Sequence, residues 1–517
     1  MKPRTIVFTL LTLAGMLGLP AFASASSGCN PNGHQFDLEG LVDAPLFGQA
    51  DESVALLLGR GRDGADLVVG AGLDGRPLDF VGYPNPVYYA ERDNANCVAD
   101  FEGGVPGITD GILGTFVPLQ GYPQVVADPV HDAFFLAAVF ASDTNLAVGI
   151  IRSTAANLLN TTNCPNGTQR SPAFCWTVGS VTNIVPENTF VSNPTIGVDQ
   201  RKKGTGASDV YNTTSWSYEN NQGQQAQIIL AACTNAELNC SSSVIISGSD
   251  TQAVMPSVQV RADGGITVSY ANLVIRNFEY FEYEMKFVNC KPQGAPNPPS
   301  CSAPVLVTNE KHPGVVTPGD ELNTTDVAFP RHVDRLEADH KTVTTFYIYD
   351  QCAVATYTAR EVPQTCSKTQ VAMTYSTDGG STWSPIVPIS PKTPGQQFLG
   401  NIALDESTGT VNIAYYSSQN DPLKLRTQIF LAQVPPGQTT VGAINQVTSQ
   451  LYDGPTGFLQ FDQGDPAACC DYIGVAAAGT GKSGQSHVYI HYTGSVGGTF
   501  NGQKFPIYTN MLTKFDY

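Results

Sequence analysis

Short segments with apolar side chains at alternate positions recur along the chain, and several of them end at an aspartate. Such alternation is typical of β-strands with one buried face. Clear copies begin at residues 123, 194 and 256, and weaker copies begin at 53, 332, 400 and 471. Because the starts are 62 to 76 residues apart, the pattern predicts a structural unit that repeats along the chain.

Each repeat has room for four strands. Second strands rich in β-branched and aromatic residues follow at 266–270, 343–347 and 411–415, and one copy shows a third and a fourth strand at 227–231 and 243–246. Four strands in a repeat of this length are typical of the blades of a β-propeller. The seven copies therefore predict an all-β fold with seven four-stranded antiparallel blades. Too little chain follows the last copy for a whole blade, so we expect strands from the N-terminal end to close the ring.

Residues 1–25 are predicted to be a signal peptide rather than part of the fold. Lys2 and Arg4 precede an apolar run at 6–19, and small residues suited to cleavage follow at 23–25. The apolar run is too short to span a membrane, and no longer one follows. We therefore expect a secreted or periplasmic protein without membrane insertion. Its predicted parts are an N-terminal extension at 26–50 and a single propeller domain at 51–517.

The chain is acidic and carries few charges. Only 14% of its residues are charged, and the formal net charge is −18, which becomes −20 once Lys2 and Arg4 are removed. An acidic surface cannot neutralise nucleic acid or an anionic membrane, so neither is an expected partner. We expect a monomer that binds a glycan or glycoprotein.

Twelve cysteines in an exported chain predict disulfides. Local spacing suggests four pairs and leaves two distant cysteines as a fifth. Cys469 and Cys470 are adjacent and either bond to each other or pair elsewhere. The suggested pairs are Cys164–Cys175, Cys233–Cys240, Cys290–Cys301, Cys352–Cys366 and, by remainder, Cys29–Cys97. The pairs 233–240 and 290–301 occupy, in their repeats, the place of a polar turn at 376–383 in a later repeat. We therefore expect these disulfides to restrain the same hairpin that hydrogen bonds restrain elsewhere.

The polar turn at 376–383 lies between two predicted strands, 370–375 and 385–389. Its aspartate can accept hydrogen bonds from turn amides, its glycines permit positive φ, and its tryptophan can pack on the base of the turn. The residues that define the pattern are Ser376, Asp378, Gly380, Thr382 and Trp383.

This turn resembles the Asp box, or BNR repeat, of the sialidase-type β-propellers. The resemblance implies a propeller fold in which the box lies on an outer blade hairpin, away from the active site. It also implies six blades, the number in sialidases, as the alternative to seven.

Residues 331–340 are the main candidate for a site, since seven of the ten are ionisable in a chain where charge is scarce. Asp334 occupies a position that is aliphatic in other repeats, and a buried carboxylate needs a partner such as Arg331 or Arg335. We predict that Asp334 acts as an acid or base and that Arg331, His332 and Arg335 bind substrate at the channel mouth. The alternative is an exposed loop with surface ion pairs.

A second candidate lies at 279–284, where acidic and aromatic residues alternate. Sialidases use a tyrosine nucleophile activated by a glutamate, and the resemblance implies Tyr280 or Tyr283, together with Glu282, as catalytic candidates. The alternative is a half-exposed strand, in which alternation is ordinary.

The sequence departs from sialidases in one respect: it lacks the Arg-Ile-Pro motif that normally supplies the first of three substrate-binding arginines. Arg92, Arg261, Arg331 and Arg335 are candidates, but no spacing selects three of them. Two functions therefore stay open: an exo-acting glycoside hydrolase of sialidase type, and a non-catalytic propeller that binds a glycan or a protein.

The sequence predicts no cofactor and no metal site. No His/Cys cluster has zinc spacing, and aspartate pairs such as Asp462 and Asp465 match no defined calcium loop. Structural calcium stays open as an alternative.

Overall fold

The computed structural model describes most of the chain after residue 48. The described residues are 34–35, 49–61, 64–74, 85–91, 101–104, 109–110, 114–115, 117–118, 123–141, 146–159, 176, 178–185, 190–220, 223–276, 280–312, 329–357, 363–390, 393–424, 426–453, 473–480, 485–500 and 503–517. The predicted signal peptide lies outside them, as do the loop cysteines 29, 97, 164, 175, 469 and 470.

The described chain is almost entirely β-structure and forms seven antiparallel sheets, or blades. A short strand β1 (His34–Gln35) comes first. Blade 1 follows with β2 (Gln49–Leu57), β3 (Leu67–Asp74), β4 (Asn85–Glu91) and β5 (Phe101–Gly104). A two-stranded hairpin, β6 (Thr109–Asp110) and β7 (Gly114–Thr115), precedes blade 2. Blade 2 contains β8 (Val117–Pro118), β9 (Gln124–Asp128), β10 (Ala133–Ala141), β11 (Leu146–Thr154) and β12 (Val178–Val185), with a helical turn α1 (Ala155–Leu159) after β11.

Blades 3 to 5 repeat the same up-and-down order. Blade 3 contains β13 (Phe190–Val198), β14 (Val210–Asn220), β15 (Gly223–Cys233) and β16 (Val244–Ile245). Blade 4 contains β17 (Ala253–Val260), β18 (Ile266–Arg276), β19 (Tyr280–Lys291), β20 (Ser300–Cys301) and β21 (Val305–His312). Blade 5 contains β22 (Arg331–Leu336), β23 (Val343–Tyr357), β24 (Pro363–Ser376) and β25 (Val387–Pro388).

The last two blades complete the ring. Blade 6 contains β26 (Gln397–Asp405), β27 (Thr410–Ser417), β28 (Arg426–Val434), β29 (Ala443–Gln446) and β30 (Tyr452–Asp453). Blade 7 contains β31 (Ile473–Gly479), β32 (Ser486–Phe500) and β33 (Gln503–Asp516), and β1 pairs with β33 as its outer strand.

The first strands of the blades form a closed ring. Strands β2, β9, β13, β17, β22, β26 and β31 pack against one another in that order, and β31 packs against β2. The fold is therefore a β-propeller, as the repeat predicted, and all seven predicted copies are the inner strands of blades. The predicted closure from the N-terminal end is also observed, with β1 in blade 7.

The inner strands run in one direction, which gives the central channel two different ends. We call the end where the inner strands begin the entry end. The other end, the turn end, carries the turns between first and second strands and those between third and fourth strands.

Apolar side chains between adjacent blades form the core. One cluster joins blades 1 and 2 through Leu57, Val69 and Phe134, and another joins blades 5 and 6 through Ile348 and Ile413. Because each blade buries both faces against its neighbours, most strands have buried residues at successive positions. An example is β27, in which every residue is buried.

The turn at 376–383 joins the third and fourth strands of blade 5 at the turn end. Asp378 accepts hydrogen bonds from Ser376 Oγ at 2.8 Å, from Thr382 N at 2.9 Å and from Thr382 Oγ1 at 2.6 Å. These bonds lower the pKa of Asp378 to about 2. Gly380 has φ +84°, and the Trp383 ring meets Phe287 of blade 4 edge to face.

Two disulfides hold the equivalent hairpins of blades 3 and 4. Cys233–Cys240 and Cys290–Cys301 both link the third strand of a blade to the segment that follows it. Cys352 is also disulfide-bonded, while the side chain of its predicted partner, Cys366, lies outside the described part. Disulfides are typical of proteins in oxidising compartments. Among the described residues, no helix is both long and apolar enough to cross a membrane.

Candidate functional site

A central channel of about 760 Å³ is lined by all seven inner strands. Polar side chains in the middle of two of these strands bind the backbone of the next blade: Ser53 Oγ accepts from Val125 N at 3.0 Å, and Thr195 Oγ1 accepts from Val258 N at 3.2 Å. These bonds join neighbouring blades at the channel wall.

Asp334, in the middle of β22, lies at the channel wall and is 7% exposed. Its Oδ1 accepts from Thr345 Oγ1 at 2.5 Å and its Oδ2 accepts from Thr267 Oγ1 at 2.6 Å. The predicted arginine partners are not among these contacts. Two hydroxyl groups therefore compensate for the burial of this carboxylate.

His332 precedes Asp334 by two residues, so its side chain is on the same face of β22. The ring is fully buried between blades 4 and 5, and its nitrogens lie 2.9 Å from Ser269 Oγ and 2.9 Å from Thr267 Oγ1. Burial lowers the pKa of His332 to about 4. The imidazole is therefore neutral at physiological pH and contacts Asp334 through Thr267 rather than a ligand in the channel.

Arg331 lies at the start of β22 and lines the channel near the entry end. Its Nη1 donates to Pro330 O at 3.1 Å, and its guanidinium lies 5.8 Å from the centre of the Phe329 ring.

Asp350, in β23, is fully buried and accepts from Leu399 N at 2.6 Å. Burial raises the pKa of Asp350 to about 7, although its backbone hydrogen bonds and the charge of Arg331 oppose the shift.

Arg335 lies at the turn end, so the structure does not bring it together with Arg331. Its guanidinium is 2% exposed and donates to Pro435 O at 3.0 Å, to Gln438 O at 2.7 Å and to Glu337 at 2.9 Å. It also lies 4.7 Å from the centre of the Phe346 ring. Hydrogen bonds from this arginine connect blade 5 to the turns of blade 6.

The 331–336 segment is a buried inner strand, and the alternative of an exposed loop is wrong for it.

Glu282 and Tyr283 are successive residues near the start of β19, so their side chains point to opposite faces of blade 4. Glu282 is buried, and Tyr283 packs on an apolar cluster that includes Tyr347 and Tyr349 of blade 5. Neither residue is part of the described channel wall. The structure therefore does not bring them together with Asp334 as one site.

Glu406 is a channel residue that the sequence analysis missed. It follows Asp405 at the end of β26 and reaches the channel at the turn end. Its side chain is exposed to the channel. Loss of water around it inside the channel raises the pKa of its carboxyl, and the negative charges of Asp334 and Asp405 raise it further. The only sequence signal was its place after the aspartate that ends the repeated pattern.

Three arginines also line the channel at the turn end, and each is paired with an aspartate. Arg60 binds Asp132 at 2.6 Å, Arg201 binds Asp199 at 2.6 Å, and Arg261 binds Asp263 at 3.0 Å. These pairs leave little net positive charge on this side of the channel.

Glu310, in β21, is a second buried carboxyl group that the sequence did not predict. Burial raises its pKa to about 7.

The described residues contain no group of three or more His, Cys, Asp or Glu side chains arranged to hold a metal ion.

Three solved structures are distantly similar to this chain. A protein of unknown function from Dyadobacter fermentans DSM 18053 has 10% identity and a TM-score of 0.41, over 76% of this chain and 94% of that chain. The α-L-arabinanase of Penicillium chrysogenum complexed with arabinobiose has 12% identity and a TM-score of 0.38, over 80% and 98%. The sialidase of Trypanosoma rangeli in complex with sialic acid has 8% identity and a TM-score of 0.39, over 79% and 56%. No protein-family model and no curated protein matches the sequence.

Proposed function

We propose that this protein is an exported propeller that binds a glycan in its central channel and hydrolyses a terminal glycosidic bond. The observation that carries the proposal is the presence of two unlike carboxyl groups at the channel wall, Asp334 on the inner strand of blade 5 and Glu406 just after the inner strand of blade 6. Their charges interact, since Asp334 contributes to the raised pKa of Glu406.

Most glycoside hydrolases use a pair of carboxyl groups whose environments separate their roles. One stays ionised and serves as base or nucleophile, and the other stays protonated and donates to the leaving oxygen. Asp334 suits the first role because two hydroxyl groups donate to it. Glu406 is assigned the second because it reaches the channel and the pKa of its carboxyl is shifted upward, the direction that a general acid needs. A reaction through Tyr283 and Glu282 remains a prediction, but their opposite directions on β19 do not favour it.

The second candidate function is glycan or protein binding without catalysis. The same hydroxyl contacts favour it, because both oxygens of Asp334 already have partners inside the protein. In that case Asp334 would be a structural residue, and the channel would bind its ligand mainly through backbone and hydroxyl groups.

We also propose that the 376–383 turn is an Asp box and that the chain is a divergent member of the sialidase-type propellers. Support comes from the hydrogen bonds of Asp378 and from the position of the turn between the third and fourth strands of blade 5.

Fluorogenic glycosides of several sugars, including sialosides, test the proposal with the purified protein. We expect turnover of at least one exo-substrate and a loss of 100-fold or more in kcat in both Asp334→Asn and Glu406→Gln, in line with the loss of a general acid or base. Asp339→Asn is the matched control, because Asp339 is an exposed carboxylate of the same blade whose bonds stay within its own turn.

A glycan array with the same proteins separates the two functions. Binding without turnover of any glycoside would support the non-catalytic module and contradict hydrolysis. Turnover that survives both Asp334→Asn and Glu406→Gln would place the catalytic groups elsewhere.

A further inference from the structure

A chain of hydrogen bonds links Asp334 to the buried His332 through one hydroxyl group. Thr267 Oγ1 lies 2.6 Å from Asp334 Oδ2 and 2.9 Å from His332 Nε2. The other ring nitrogen, Nδ1, lies 2.9 Å from Ser269 Oγ. All four side chains are at least nine-tenths buried between blades 4 and 5, so their polar atoms must find partners inside the protein.

The proton count allows two arrangements, because Thr267 has one hydroxyl proton and can donate it to one partner. In the first, His332 carries its proton on Nε2 and donates to Thr267, which donates to an ionised Asp334. In the second, Thr267 donates to Nε2, so the histidine proton is on Nδ1, and Asp334 must carry a proton to bond with Thr267. The second arrangement therefore contains one proton more, taken by Asp334 from solvent.

The distances favour the first arrangement. In the second, Ser269 would accept from His332 Nδ1 and could pass its own proton only to Pro330 O, which is 3.4 Å away. In the first, Ser269 donates to Nδ1 at 2.9 Å, and every other bond of the chain is 2.9 Å or shorter. The charges of Arg331 and His332 interact electrostatically, as do those of Glu406 and Asp334.

We propose that Thr267 and His332 are positioning residues that fix the orientation of the Asp334 side chain at the channel wall, with His332 donating from Nε2 to Thr267 and Thr267 donating to Asp334. The proposal rests on the proposed function and deepens it, because it assigns the base or nucleophile role to Asp334 and leaves the general-acid role to Glu406. Neither Thr267 nor His332 touches the substrate, and both act through Asp334.

The tautomer of His332 can be read directly from the ¹⁵N shifts of histidine-labelled protein, assigned with His332→Gln. At pH 7 we expect the Nε2–H form in the wild type. Thr267→Val removes the acceptor of that proton and should change the shifts, whereas Thr267→Ser keeps the hydroxyl and should preserve them. Thermal unfolding of both variants shows that each is folded. The Nδ1–H form in the wild type, or unchanged shifts in Thr267→Val, would overturn the proposal.

If a substrate is turned over, Thr267→Val should lower kcat with little change in KM, and Thr267→Ser should restore kcat. An unchanged kcat in Thr267→Val would also overturn the proposal. If no glycoside is turned over, hydrolysis fails as a function, and the NMR result still decides whether Thr267 and His332 form this hydrogen-bond chain to Asp334.

Discussion

Gly380 lies against Phe287 of the neighbouring blade, and a Cβ atom at this glycine would be 2.4 Å from Phe287 Cδ1. The backbone at Gly380 also has φ +84°, a conformation that L-residues rarely adopt. The turn at 376–383 is therefore part of the contact between blades 4 and 5, and not only a hairpin of blade 5.

Gly380→Ala should destabilise the protein by about 2–4 kcal/mol, because backbone strain and overpacking act together. Gly379→Ala is the matched control: its φ is +73°, but a Cβ there meets nothing within 4 Å, so we expect only about 1–2 kcal/mol. Thermal unfolding of the two variants measures the difference. Equal losses of stability in the two variants would mean that Phe287 moves aside without a free-energy cost.

Asp350 should make the folded state less stable as pH rises. Its pKa is raised from 3.8 to about 7 in the folded protein, so the folded state holds this proton more tightly than the unfolded state. Its contribution is largest below pH 4 and is lost as pH rises through 7, by roughly 2–4 kcal/mol in total.

The prediction for Asp350 is tested by measuring the midpoint temperature of unfolding against pH in the wild type and in the variants. Asp350→Asn should flatten the decline between pH 4 and pH 8, whereas Asp339→Asn should leave it unchanged. The carboxyl of Asp339 is exposed and hydrogen bonds lower its pKa to about 2, so it titrates below this window. An unchanged slope in Asp350→Asn would contradict the raised pKa.

Arg335→Met should destabilise the protein by roughly 3 kcal/mol, since it removes the guanidinium donor to the Gln438 carbonyl and one of the two donors to the Pro435 carbonyl. Arg60→Met is the control for loss of a guanidinium, because the Arg60–Asp132 pair is exposed and such pairs contribute about 0–1 kcal/mol. Ligand affinity of the folded Arg335 variant should equal that of the wild type. A selective loss of affinity would restore Arg335 as a substrate-binding residue.

Cys233→Ala combined with Cys240→Ala should lower stability by about 2–3 kcal/mol, the loop-closure value for a short loop. The unfolding temperature of the wild type is measured in parallel, once with its disulfides intact and once after reduction. If the double variant unfolded at the same temperature as the oxidised wild type, the disulfide would not share the restraining role of the 376–383 turn.

The repeat of alternating residues was enough to locate all seven inner strands, because every blade needs an apolar strand at the same place. The same comparison placed Cys233–Cys240 and Cys290–Cys301 on the correct hairpins. These features depend on local pattern and on loops closed over a few residues, and both are visible in a single sequence.

The chemistry of the site was less accessible from the sequence. Arg331 and Arg335 are close in sequence but lie at opposite ends of one strand, since a strand advances by about 3.3 Å per residue. Glu406 and Asp350 owe their raised pKa values to neighbouring groups and to burial in the ring. Such effects depend on which blades meet, and the repeat pattern does not contain that information.

The pairing of β1 with β33 joins His34 to Leu512, residues that lie far apart in the sequence. A contact between such remote positions carries a loop-closure cost and forms late in folding. During synthesis, the seventh blade must therefore wait for β33 to leave the ribosome, and until then the ring stays open with unpaired strand edges.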